Sequence, residues 1–284
     1  MILANIYLKS NSYEHNTSIF FRKIIILVLL TFFSAACSGN KEDTYIARDV
    51  ETIYNLGADE LEGRRFSLAA ALFDEVERQH PYSVWARRAQ LMAAYSHYQS
   101  NEYDDAILAA QRFLSLHPGN SAAPYAYYLI ALCYYEQIAD VGRDQNITKQ
   151  ATQALQQVIL RFPGTEFAQD ANLKFELTLD HLAGKDMEVG RFYQNQNQQI
   201  GALSRFKNVI QTYQTTSHTS EALHRLVEVY TSLGLKQEAQ AAAAVLGYNY
   251  PESKWYRYSY ALLNGEVMMP EGKETSFFGK LWPF

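Results

Sequence analysis

The side chains of this chain that could do chemistry are two cysteines, seven histidines and a few clustered carboxylates. A thiolate attacks acyl groups, an imidazole moves protons or binds metals, and paired carboxylates do acid–base work, but each needs a partner at a fixed spacing. Those spacings are missing. No GxSxG elbow, HExxH, P-loop or GxGxxG occurs, which removes the usual signatures of nucleophilic, zinc-dependent and nucleotide-dependent catalysis. His80 and His117 each precede a proline in equivalent positions, and His218 and His224 are too far apart for a helical i,i+4 metal pair. Glu102, Asp104 and Asp105 cluster where a helix would begin, as its dipole favours. Cys133 lies among Leu132, Tyr134 and Tyr135 with neither a second cysteine nor a base beside it, which reads as a packed thiol. The expectation is a protein with no catalytic centre, metal or cofactor.

The other thiol has a different setting. Cys37 follows Ser34-Ala35-Ala36, and before these comes an apolar run from Ile24 to Phe33 opened by Arg22 and Lys23. A charged stretch, an apolar stretch and small residues in that order make an export signal. The run is too short to cross a bilayer as a helix. Small residues directly before a cysteine resemble the bacterial lipoprotein signal, in which that cysteine is lipidated and becomes the mature N-terminus; Ser34 departs from it, standing where leucine is preferred. The resemblance implies a signal peptide over residues 1–36 and lipidation of Cys37. Because Ser38 rather than aspartate follows, it also implies the periplasmic face of the outer membrane. Residues 37–46 then read as a lipidated N-terminus with a small polar tether.

Behind these residues stands a repeat. Ile53, Leu56, Gly57, Ala69, Phe73 and Pro81 fill the places of the ~34-residue tetratricopeptide pattern, with Glu60 at the first aromatic site. The step from alanine to closing proline recurs as Ala106 to Pro118, Ala151 to Pro163 and Ala239 to Pro251, and as Ala202 to Gln214 where glutamine replaces proline. First helices repeat in parallel, with Ala94 and His97, Ala131 and Tyr134, Gly190 and Tyr193, and Val227 and Tyr230. Small residues let paired helices approach, bulky ones four and seven places on fill the seam, and proline ends the second helix. The fold predicted is all-α, a superhelical solenoid of five tetratricopeptide-like helix pairs. Residues 47–163 hold pairs one to three. Residues 164–263 hold a long linking helix with room for a bend at Gly184, pairs four and five, and a capping helix opened by Ser253. Residues 264–284 form a tail rich in Phe277, Phe278, Trp282 and Phe284 that must fold back or meet a partner. The third pair carries extra residues at Asp140–Asn146; such insertions often project from the binding face, and pairing of Arg143 with Asp144 to order the loop is the equal alternative.

Composition narrows the partners. The chain is 48% hydrophobic with a net charge of −5, and removing residues 1–36 leaves 22 basic against 29 acidic side chains. That balance offers no footprint for nucleic acid. A stack of helix pairs presents a groove suited to extended peptides or a partner's helix, with Tyr54, Phe66, Tyr95, Tyr98 and Tyr128 as candidates to line it; their spacing fits core packing equally well.

Several stretches carry a more specific likeness. His80-Pro-Tyr-Ser, Asp140-Val-Gly-Arg-Asp-Gln, Arg161-Phe-Pro-Gly-Thr-Glu-Phe-Ala, Gly184-Lys-Asp-Met-Glu-Val-Gly-Arg-Phe-Tyr and Leu246-Gly-Tyr-Asn-Tyr-Pro-Glu-Ser-Lys-Trp-Tyr resemble the family of outer-membrane protein assembly factors called BamD, in its alphaproteobacterial branch. The resemblance spans roughly residues 45–263. It implies a non-enzymatic subunit of the β-barrel assembly machinery, working with other Bam lipoproteins. Pairs one to three would receive unfolded outer-membrane β-barrel proteins, and pairs four and five would dock the POTRA domains of the barrel subunit BamA. It further implies that Arg205 pairs with an acidic residue of BamA; as an ordinary solvated helix charge it would contribute under ~1 kcal/mol. A periplasmic repeat lipoprotein acting as adaptor in envelope division or polysaccharide export would share the repeats and the lipid but not BamA.

Overall fold

In the computed structural model, residues 48–266 are described. Cys37, the signal, the tether and the aromatic side chains of the tail lie outside them. Among the described residues there are eleven α-helices and no strand. They pair as α1 (Val50–Glu62) with α2 (Phe66–Gln79), α3 (Val84–Gln99) with α4 (Tyr103–Leu116), and α5 (Ala123–Glu136) with α6 (Asn146–Arg161). Then α7 (Glu166–Asn195) pairs with α8 (Gln199–Thr212), α9 (Thr219–Ser232) with α10 (Lys236–Asn249), and α11 (Lys254–Asn264) closes the stack. Each helix packs on the next, and first helices of successive pairs also meet, α1 with α3, α3 with α5, α5 with α7 and α9 with α11. That double adjacency is how a repeat that cannot bury its own apolar face makes a continuous core.

The alanines of the repeat are where their spacing requires. Ala69, Ala106, Ala151, Ala202 and Ala239 are all fully buried. Four places on, Phe73, Ala110, Leu155, Phe206 and Ala243 are buried, and seven places on so are Val76, Phe113, Val158, Val209 and Leu246. Full burial of one such phenylalanine or leucine stabilises by roughly 1.5–3 kcal/mol. In pairs one and four the closest approach is made by glycine on the first helix: a Cβ added to Gly57 would lie 2.9 Å from the Phe73 ring, and one added to Gly190 would lie 2.5 Å from the Phe206 ring.

Helix ends repeat as faithfully. His80, His117, Phe162, Tyr213 and Tyr250 each end a second helix with φ between −124° and −135° and ψ between 44° and 57°. A following proline forbids the helical region, yet Tyr213 adopts the same geometry before Gln214, so the turn is held by packing as well. Asp49, Ser83, Thr165 and Ser253 cap helix starts through their side chains. Ser253 accepts from the Trp255 amide at 3.2 Å, as expected of the capping helix.

The long linking helix is continuous: α7 runs through Gly184 as one 30-residue helix, and the glycine makes room for His218, whose Nε2 would be 3.2 Å from an added Cβ. In the 140–145 loop, no ion pair joins Arg143 to Asp144. Lys185 Nζ on α7 donates to the Gly142 carbonyl at 2.9 Å, the Gln145 side chain donates to the carbonyls of Asp140, Val141 and Arg143, and Asp144 accepts from the Asn146 amide. The loop is laced from within and tied down to α7.

Candidate functional site

Four of the five groove candidates lie on first helices of the pairs: Tyr54 on α1, Tyr95 and Tyr98 on α3, and Tyr128 on α5. Phe66 instead opens α2. All five are half-buried. Tyr54 rests on Trp85 and Phe73, with ring centroids 4.8 and 5.4 Å away. Tyr95, Tyr98 and Tyr125 cover the Ala94, Ala106 and Ile130 cluster. Tyr128 lies 5.4 Å from Phe167 and donates its hydroxyl to Asp170 on α7. Burial, and then the charge of Glu136, pushes the Tyr98 phenol up to about 12; burial raises Tyr125 and Tyr128 in the same sense, and Asp170 adds to it for Tyr128. These phenols stay neutral donors at physiological pH. The seam therefore offers ring surface and hydroxyl donors, which suit a peptide better than they suit proton transfer.

Arg205 occupies a second region. Its side chain, on α8, is 46% exposed, and Nη1 donates to Asp186 Oδ1 on α7 at 3.0 Å. Asn208 donates to the other oxygen at 2.6 Å. Asp186 is only 8% exposed, so both of its oxygens are spent inside the fold while the arginine keeps an open edge beside Lys207 and Gln211. Farther along the stack, Arg191 donates to Glu221 at 3.0 Å and Gln194 to Glu228 at 2.9 Å. Glu228 also accepts from Arg225 at 2.8 Å and faces His224 Nε2 at 3.3 Å. His224 Nδ1 meets the buried Ser259 hydroxyl of α11 at 2.8 Å. Burial alone would raise the Glu228 carboxyl, but His224, Gln194 and Arg225 outweigh it and hold it at about 2. This network fastens α7, α9 and α11 together.

A family model described as outer membrane lipoprotein matches residues 47–246, from the first helix pair to within three residues of the end of the fifth. The outer membrane protein assembly factor BamD of Caulobacter vibrioides is 51% identical over 249 residues, covering 87% of this chain and 82% of that protein. The chain belongs to the BamD family. The BamD of Rickettsia prowazekii is 43% identical over 84% of this chain and 94% of its own length, and that of Neisseria meningitidis serogroup A is 31% identical over 84% and 95%.

Within this BamD-family chain, one group of liganding side chains gathers among the described residues, His97, Glu102 and Asp105, with ligand atoms within 4.8 Å of one another. Its imidazole is already engaged: His97 Nδ1 is 2.7 Å from Glu102, and Nε2 is 3.6 Å from Asp74. Asp74 raises the His97 pKa against the opposing pull of burial, and Glu102 adds to the rise. Through its contacts with Asp74 and Glu102 the imidazole links pair one to pair two. Cys133 is fully buried, and burial pushes its thiol up to about 12, which leaves it protonated and unreactive. No described helix is long and apolar enough to cross a membrane. Sequence reasoning missed Asp186, the Glu228 network and the hollow beside the 140–142 loop. Asp186 carried a weak signal, being an acid on the buried side of an amphipathic helix.

Proposed function

We propose that this protein is a non-enzymatic scaffolding subunit of the β-barrel assembly machinery, anchored at the periplasmic face of the outer membrane through lipid on Cys37. The observation that supports this best is that the likeness to the BamD relatives runs through every helix pair, from the tyrosine seam to the Arg205 face. On this reading residues 47–163 receive unfolded outer-membrane proteins along Tyr54, Tyr95, Tyr98 and Tyr128, and residues 164–263 dock POTRA domains of BamA. Arg205 contributes the open edge of its guanidinium to an acidic residue of BamA, while Asp186 fixes its direction from behind. A planar fork is well made for serving two carboxylates at once.

The geometry decides which variant tests this. Arg205→Glu would set a second carboxylate against Asp186 and disturb the α7–α8 seam, whereas Arg205→Gln keeps a donor for Asp186 and removes only the charge. Co-purification of BamA with the Arg205→Gln chain is expected to fall about tenfold at physiological salt, with its melting temperature within a few degrees of the parent's. Undiminished BamA recovery from that variant at both low and high salt would overturn the docking role.

A further inference from the structure

A surface on α7 is used neither by the tyrosine seam nor by Arg205. Leu173 and Leu177, one helical turn apart, are 68% and 59% exposed, whereas Phe175 between them packs into the core with Leu155 and Val158. Large apolar side chains on the exposed stripe of an amphipathic helix form an apolar ridge. Leu177 separates two hollows. The first encloses about 860 Å³ between the 140–142 loop and α7, reaching His181, Gly184 and His218. The second, about 400 Å³, lies between Leu173 and the Thr215–Ser217 turn.

The charge around this ridge is one-sided. Glu136, Asp140, Asp180 and Glu188 line the first hollow, and Glu176 joins Asp180 in the second. Arg191 is the one Lys or Arg among the residues lining the two, and it donates to Glu221. Glu176 accepts from Thr215 and Asp180 from Ser217, bonds that leave their charge intact, while His218 Nε2 lies 3.6 Å from Asp180 and Lys185 Nζ 3.4 Å from Glu188. His181 Nε2, in the wall of the larger hollow, is buried without a hydrogen-bond partner. Glu136, Asp140 and Glu176 have no ion-pair partner among the described residues; set beside exposed leucines, they repel an acidic ligand and favour one that brings positive charge on an apolar frame.

We propose that this surface docks a basic amphipathic segment of a partner protein. Its apolar side chains lie on Leu173 and Leu177, and a lysine or arginine enters the larger hollow among Glu136, Asp140 and Glu188. A hollow of this volume is of the size that holds a bound side chain with its flanking backbone. The tied-down loop supplies one wall in place, so little ordering is needed on binding. Nothing in this assignment depends on Arg205 or on BamA, and its failure would leave the docking role of Arg205 untouched.

The test uses the full chain in zwitterionic nanodiscs, with empty discs as blank, titrated against a labelled 18-residue peptide of leucine and lysine at helical spacing and followed by anisotropy. Saturable one-site binding is expected, falling tenfold or more in Leu173→Ser/Leu177→Ser and in Glu136→Gln/Glu176→Gln/Glu188→Gln, and absent when glutamate replaces lysine in the peptide. The carboxamide variant keeps side-chain volume and acceptors, so it decides the matter should the serine variant unfold. Equal binding by parent and carboxamide variant, equal binding of the lysine and glutamate peptides, or no binding at all overturns the proposal.

Discussion

Gly190→Ala probes the glycine at which an added methyl would come closest to a neighbouring side chain among the described residues. The new methyl would lie 2.5 Å from Phe206 Cε1 and 2.9 Å from both Cδ1 and Cζ, distances that no relaxed carbon pair tolerates. Phe206 is fully buried beside Met187 and Val209, so its ring has nowhere to retreat and α8 must move off α7. Overpacking of this kind costs about 1–3 kcal/mol, and the contact distance places it at the upper end. Alanine returns about 1 kcal/mol through helix propensity. The net loss is about 2 kcal/mol, which for a domain of this size lowers the melting temperature by roughly 4–8 °C. Circular dichroism melts of the full chain measure it, with Gly119→Ala as control because nothing lies within 4 Å of a Cβ there. Trimming the ring in Gly190→Ala/Phe206→Leu should recover part of the loss, giving a coupling of about 1 kcal/mol or more in the cycle. An unchanged or raised melting temperature for Gly190→Ala, or full additivity with Phe206→Leu, refutes the close-approach argument.

Two further outcomes follow from side-chain geometry, and a third from the proposed lipidation of Cys37. Glu228→Gln should destabilise by roughly 1–3 kcal/mol at pH 7, discounted for partial exposure. Because the folded carboxyl is held at about 2, below its ordinary 4.5, that advantage is complete above about pH 4.5 and drains away as the pH falls toward 2; melts of parent and variant should therefore converge in acid. Cys133, buried and with its thiol at about 12, should react with a thiol reagent at pH 8 only after denaturant is added; rapid labelling of the native chain would contradict its packing. Cys37→Ser should abolish incorporation of labelled palmitate and shift the chain from the membrane fraction to the soluble one, as read by fractionation and mass spectrometry.

The repeat was legible because helix crossing makes a demand that a single position can meet. A second helix can come close only where a side chain is small, so Ala69, Ala106, Ala151, Ala202 and Ala239 announce five crossings by spacing alone. The site was less legible, for two different reasons. Tyr54 and Tyr128 have the same spacing whether they line a groove or close a seam, and only coordinates show that Tyr54 rests on Trp85 and that Tyr128 bonds Asp170. Asp186 and Arg205, or His224 and Ser259, are joined across helices. Periodicity places each on its own helix but says nothing about which rotamers meet between them. The lacing of the 140–145 loop was not legible because it runs through Gln145 and backbone carbonyls, which a charge-based reading of Arg143 and Asp144 overlooks.

The uninterrupted α7 sets how the two halves of the stack respond to load. At 30 residues it is about 45 Å long. Its first turns share side chains with α5 and α6 through Phe167 and Ala171, and its last turns share them with α8 and α9 through Met187 and Gly190. A tug on either end is thus carried along one beam rather than absorbed at a hinge. The early and late repeats should melt in a single step, and a force pressing on one should be felt mechanically at the other.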